Sequence, residues 1–139
     1  MRQPRLLLPS SGDAVPARHE ADGTFDAFRV DVESERDIVR VCPVGEVDIA
    51  TVGWIRAEID ELKAAGFTRL ILDLRRATFL DSSGVHLAVD AHASAAESGC
   101  EFALIAGPAA VQRAFDAAGL SSRLTFVDPV SYRNGASWR

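Results

Sequence analysis

The sequence predicts an α/β domain built on a mixed β-sheet flanked by helices. Three observations carry that prediction. Phe28, Val30 and Val32 alternate with Arg29 and Asp31, the pattern of a half-buried strand. Leu70–Leu74 and Phe102–Ala106 are short, nearly continuous apolar runs, which suit strands covered on both faces. Long stretches of helical periodicity separate these runs, and strands that alternate with helices favour parallel pairing.

The elements follow in order. Residues 1–24 hold Pro4, Pro9, Pro16, Gly12 and Gly23 without sustained periodicity and read as a flexible leader. The domain spans 25–128. After the first strand, Ser34-Glu35-Arg36-Asp37 reads as a turn and Ile38–Cys42 as a second strand. Pro43 lacks a ladder donor, so that strand is expected to end, bulge or lie at an edge there. Gly45-Glu46-Val47-Asp48 reads as a loop.

Ile49–Ala65 carries Val52, Ile55, Ile59 and Leu62 on one helical face and closes at Gly66. Ser82–Ser98 is a second helix, with Ala88, Ala91, Ala95 and Ala96 allowing close packing before Gly99. Pro108 suits the first turn of a third helix, lined inside by Val111, Ala114, Phe115 and Ala118 and ended by Gly119-Leu120. Leu124–Val127 is a last strand and 129–139 a tail with weak signals. The predicted order is β-β-α-β-α-β-α-β.

Composition narrows function. The chain has 139 residues with 47% hydrophobic and 25% charged, ordinary for one soluble domain. Twenty acidic against 15 basic residues give a net charge of −5, which argues against nucleic acid or an anionic membrane as the main partner. A basic protein surface suits it better. Cys42 and Cys100 have no metal-ligand spacing and read as buried thiols in a reducing cytoplasm, the compartment expected for the whole chain. Leu6-Leu7-Leu8 before Pro9 is too short for a signal peptide, and no run reaches transmembrane length.

The chemistry concentrates at Asp81-Ser82-Ser83-Gly84. Asp81 is a plausible N-cap, Ser82 and Ser83 fall in the first turn, and Gly84 is expected to keep that turn open to an approaching protein. The serines either cap the helix or accept a phosphate in the field of its N-terminus. Asp81, Ser82 and His86 supply the residue types of a hydrolytic triad. No G-x-S-x-G elbow surrounds Ser82, however, and a base one turn along the same helix points outward beside the hydroxyl. No Gly-rich phosphate cradle and no cofactor motif is found. Ser82, His86, Asp90, Ala93 and Glu97 fall within roughly 40° either side of one direction at 100° per residue and form a polar stripe, with His86 placed to pair with Asp90. Trp54 lies off the core face of its helix, either half-buried at the margin or an interface anchor.

Three segments in order, Gly45-Glu46-Val47-Asp48, Asp73–Gly84 and Arg113–Leu120, resemble the STAS domain, and more narrowly the bacterial anti-sigma factor antagonists. The resemblance covers about residues 27–128 and implies the STAS-like mixed sheet flanked by helices. It implies that an anti-sigma factor, itself a serine protein kinase using ATP, phosphorylates Ser82, with Ser83 as second choice. It also implies that the unphosphorylated chain binds that factor and frees a sigma factor, as in partner switching under stress, and that a metal-dependent PP2C-type serine phosphatase resets it. The matching partner contacts are Glu46, Asp48, Asp81, Ser82, Ser83, Gly84 and His86. The other reading is a STAS module that is never phosphorylated, an assembly or sensory piece or the binder of a small ligand. The chain departs from the family at Val85-His86, where Leu-Gly is frequent, at Pro43, and after Asp128, where the family's C-terminal helix is not evident.

Overall fold

A computed structural model describes residues 28–134. The predicted leader and Trp138 lie outside the described residues. Strand β1 (Phe28–Glu35) turns at Arg36-Asp37 into β2 (Ile38–Val47), and the two pair antiparallel from Phe28↔Gly45 to Glu35↔Ile38. Helix α1 (Val52–Ala64) leads to β3 (Arg69–Asp73), and a tight turn leads to β4 (Ala77–Leu80). Helix α2 (Ser82–Ser98), β5 (Glu101–Ile105) and α3 (Ala109–Ala118) follow. The sheet runs β1-β2-β3-β5, with β4 paired to β2, and every pairing except β1–β2 is parallel. The predicted fold class is the observed one.

The observed order differs from the predicted one in two places. Strand β4 was expected as loop, because Ala77 and Leu80 are buried three residues apart with Thr78 and Phe79 exposed between them. Such spacing hides the two-residue period. A register shift accounts for it: Gly45 faces Ala77 while Glu46 faces Phe79, so Thr78 is the extra residue of a bulge. Conversely, Leu124–Val127 forms only a bridge from Phe126 to Leu104, with Leu104 N–H donating to Thr125 O and Val127 N–H to Leu104 O, each at 2.8 Å.

Pro43 neither ends β2 nor lies at an edge, and Gly45–Val47 belong to the strand rather than to a loop. Pro43 stands opposite Val30. Strand alternation puts its nitrogen on the same side as the Gly45 N–H, which donates to Arg76 O at 3.2 Å. On that side β2 pairs with β3 through Val41 and with β4 from Gly45 onward. The missing donor therefore falls in the gap between two partner strands, where none is required.

The helices pack on one face of the sheet, around Val30, Val39, Val41, Leu70, Leu72, Ile55, Leu87 and Phe115. Burying each such side chain contributes about 1.5–3 kcal/mol. Ala118, expected inside, is exposed, since α3 ends as its inner face leaves the sheet. Gly119 ends that helix in the left-handed conformation, and Leu120 N–H returns to Phe115 O at 3.2 Å, as the sequence predicts. The opposite face carries Ile38, Ile71, Ala103 and Ile105, covered by Tyr132 from the segment after β5 and α3.

Candidate functional site

Two parallel strands deliver the site. The pair Val47↔Leu80 is the last register of β2 with β4, and Asp81 N–H donates to Val47 O at 3.2 Å. The two chains leave the sheet side by side and each enters a helix. On the β2 side, Asp48 N–H donates to Thr51 Oγ1 at 3.0 Å and the Thr51 hydroxyl donates to Glu46 O at 2.9 Å. The Asp48 carboxylate accepts the Ala50 N–H at 3.0 Å. This closed turn occupies Ile49–Thr51, which is why α1 begins at Val52 and not at Ile49.

On the β4 side, Asp81 is extended (φ −107°, ψ −169°) and its Oδ1 accepts Ser83 N–H at 2.8 Å and Gly84 N–H at 3.4 Å. It is the N-cap of α2, as its position predicts. Ser82 follows as an exposed residue with no hydrogen-bond partner for its hydroxyl among the described residues; Ser83 is half-buried. Ser82, His86, Asp90, Ala93 and Glu97 are all exposed, so the predicted stripe exists. His86, however, does not hold Asp90. Arg56 of α1 does, with Nη2 at 3.5 Å, because α1 lies alongside and its guanidinium reaches across. The Asp81 carboxylate is spent on backbone amides, so Asp81, Ser82 and His86 form no catalytic relay.

Gly84 corrects the expectation of an open helix turn. It is buried, and a Cβ there would lie 2.6 Å from Leu80 Cγ and 3.0 Å from Val47 Cγ1. Its small size lets α2 start directly over the β2–β4 pair. It faces inward, and as a partner contact it offers no side chain and little surface. Of the predicted contacts, the structure gathers Glu46, Asp48, Asp81, Ser82 and Ser83 at one end of the sheet, with His86 one turn beyond.

Two features escaped the sequence reading. Phe79, beside Glu46, is 46% exposed and Ile49 is 77% exposed, unusual for large apolar side chains. Behind the site, Asp73 is 3% exposed at the end of β3. Its Oδ2 accepts Arg40 Nη1 at 2.6 Å and Arg75 Nη2 at 2.7 Å, and its Oδ1 accepts Arg75 N–H at 3.1 Å. Arg40 also pairs with Glu33. Burial alone would raise the Asp73 carboxyl, but the Arg75 bonds and charge, with Arg40, hold it below the usual range. An acid inside the apolar run Leu70–Leu74, with arginines two and three residues on, was the available signal. Cys42 lies in the same cluster, its thiol pushed up to about 12, chiefly by burial. Cys100 is only half-buried, so one of the two thiols is less enclosed than expected. Trp54 is half-buried at the helix margin, its ring 6.4 Å from that of Phe28 at 67°.

Among the described residues no group of three or more His, Cys, Asp or Glu could hold a metal ion, and no helix is long and apolar enough to cross a membrane.

This sheet, with a capped helix rising over β2 and β4, defines the class: the chain belongs to the STAS domain family, which matches residues 29–131. Among solved structures it is similar to the anti-sigma factor antagonist SpoIIAA in its unphosphorylated form. The identity is 27%, over 78% of this chain and 92% of that one, with a TM-score of 0.62. The phosphorylated form of the Bacillus cell fate determinant SpoIIAA matches at 26% identity over 78% and 96%, with a TM-score of 0.57. An anti-sigma factor antagonist from Mycobacterium paratuberculosis shares the fold at 23% identity over 76% and 89%, with a TM-score of 0.63.

Proposed function

We propose that this STAS domain is an anti-sigma factor antagonist switched by phosphorylation of Ser82. In the unphosphorylated state it binds an anti-sigma factor that is a serine kinase and so frees a sigma factor. A phosphate on Ser82, or secondarily on Ser83, ends that binding, and a PP2C-type phosphatase restores it. The site of action is the cytoplasm. The observation that carries this reading is the Ser82 hydroxyl, exposed at the tip of α2 without a hydrogen-bond partner among the described residues, beside a cap that already serves the helix amides. Similarity to SpoIIAA, known in unphosphorylated and phosphorylated forms, supports it.

The physics is local. A phosphate adds about −1.5 to −2 charges and three acceptor oxygens. The dipole of α2 offsets part of its proximity to Asp81. A partner acid roughly 7 Å away is repelled by about 2 to 5 kcal/mol at an effective dielectric near 20. A coupling of about 1–3 kcal/mol is enough to reverse such binding. No refolding is required.

The test is incubation of the protein with ATP and each anti-sigma kinase of its host, followed by mass mapping. One phosphate on Ser82, absent from Ser82→Ala, is the expected result. No phosphate on Ser82 or Ser83 with any kinase would sink the reading. One observation favours the second reading, a ligand-binding module: an open cleft of about 420 Å³ between the end of α2 and β5, lined by His92, Ala95, Cys100 and Phe102.

A further inference from the structure

We infer that His86 is the internal counter-ion of a phosphate on Ser82, a positioning residue that lays the phosphate along α2. This rests on the function proposed above and adds what holds the phosphate once it is in place.

A helix mouth ordinarily seats an anion on its free amides. Here those amides are taken. Ser83 N–H donates to Asp81 Oδ1 at 2.8 Å, and Gly84 and Val85 N–H donate to Asp81 O at 3.0 and 3.2 Å. A phosphate on Ser82 therefore needs a side-chain partner. His86 is one turn along, exposed, and has no hydrogen-bond or ion-pair partner among the described residues. Residues four apart on a helix stand about 5–6 Å apart at Cβ. Each Cα–Cβ bond also tilts toward the helix N-terminus, so the imidazole leans toward Ser82. Ser83 has no such neighbour, because the residue four along from it is Leu87, 1% exposed.

The surrounding charges select His86. On α2 itself, Asp81 is spent on amides and Asp90 on Arg56 of α1. Lys63 of α1 lies farther along and donates to Ser94 Oγ at 2.7 Å. Helix α3 brings Arg113 and Asp116, and the latter accepts the Ser121 hydroxyl at 2.6 Å. Strand β4 brings no charge, and Glu101 of β5 is paired with Arg69 at the far end of α2. Arg75 and Arg40 hold Asp73, and Arg76 holds Asp31. Glu46 and Asp48 at the end of β2 repel a phosphate and favour a protonated ring. A histidine and a phosphoserine both change charge between about pH 5 and 8. Face to face, each holds the other in its charged form, and the two titrate as a pair. The position is also one where this chain departs from its family, since the glycine frequent there has no side chain to offer.

The test uses the full chain with phosphoserine installed at position 82 during translation, so that no kinase is needed. Phosphorus NMR follows the second ionisation of the phosphate, and thermal melting checks the fold of each variant. The midpoint should lie about 0.3–0.7 pH unit lower in the wild type than in His86→Gln, as expected of an exposed pair with two charges on one member. His86→Lys keeps a cation one turn away and should restore the lower midpoint. Arg56→Gln should leave it in place. With phosphoserine at position 83 instead, His86→Gln should change nothing. Equal midpoints in the wild type and His86→Gln, or no rescue by lysine, overturn the pairing. A midpoint raised as much by Arg56→Gln as by His86→Gln gives the phosphate to Arg56 and overturns it too. A lowered midpoint in a chain that no kinase phosphorylates overturns the proposed function and leaves the pairing standing.

Discussion

Asp73 closes the turn between β3 and β4 by gripping Arg75 twice, through its backbone N–H at 3.1 Å and through Nε and Nη2 of its side chain at 3.0 and 2.7 Å. The turn so fixed is the one that launches the strand leading to Ser82. Because the folded carboxyl titrates below its unfolded value, the stability it contributes is present above an unfolded value near about 4 and is lost as pH falls through the lower folded value. Asp73→Asn should cost about 2–4 kcal/mol at neutral pH, since the largely buried Arg40 loses its buried anion and keeps only the exposed Glu33. It should also flatten the loss of stability below about pH 4. Urea unfolding at neutral and acid pH reads both, and an Asn variant with the wild-type pH profile would remove Asp73 from the account.

The cap at Asp81 can be weighed separately. Asp81→Ala removes the acceptor of Ser83 and Gly84 N–H and should cost about 1 kcal/mol. In a domain of this size that lowers the melting temperature by roughly 4–8 °C. Asp81→Asn keeps an acceptor oxygen and should recover most of the loss.

Gly84 tests packing at the same place. Alanine is the better helix former by about 1 kcal/mol, yet its methyl would meet Leu80 and Val47. Gly84→Ala should therefore be net destabilising, by about 1–3 kcal/mol. A stabilised variant in chemical denaturation would show that α2 can lift off β4 at little cost.

The thiols should separate by reactivity. Cys42, with its pKa pushed to about 12 and its side chain buried beside Arg40 and Asp73, should resist a disulfide-exchange reagent in the native protein at pH 8. Cys100 should react, and Cys42 only on denaturation. Peptide mapping after brief labelling decides it, and rapid labelling of Cys42 would mean that β2 opens locally.

What the sequence disclosed was local. The Asp81 cap, the Ser82–Glu97 stripe, the span of α2 and the Leu120–Phe115 closure all depend on neighbours within a few residues, and all are present. What it concealed was pairing. Pro43 reads as a strand breaker until β2 is seen to change partners beside it. The bulge at Thr78 erased the period of β4. The proximity of Glu46 to Phe79 and of Arg40 to Asp73 exists only once strands 33 residues apart are side by side. Tyr132 gave no signal because a single aromatic covering the far face of a sheet has no periodicity.

The partner change at Pro43 has a mechanical consequence. Strand β4 hangs from β2 by three register pairs and makes none with β3. The end of the sheet that presents Ser82 is thus a short leaf hinged on one strand, while β1, β2, β3 and β5 form a ladder that closes without it. Amide protons of Phe79 and Leu80 should exchange at a lower free energy than those of Ile71 and Leu72, with only the packing of Ala77 and Leu80 added to the three pairs that hold the leaf, and native-state hydrogen exchange checks the order. A load applied at the N-terminus of α2 therefore falls first on three register pairs and on the packing of Ala77 and Leu80, before it reaches the β1-β2-β3-β5 ladder.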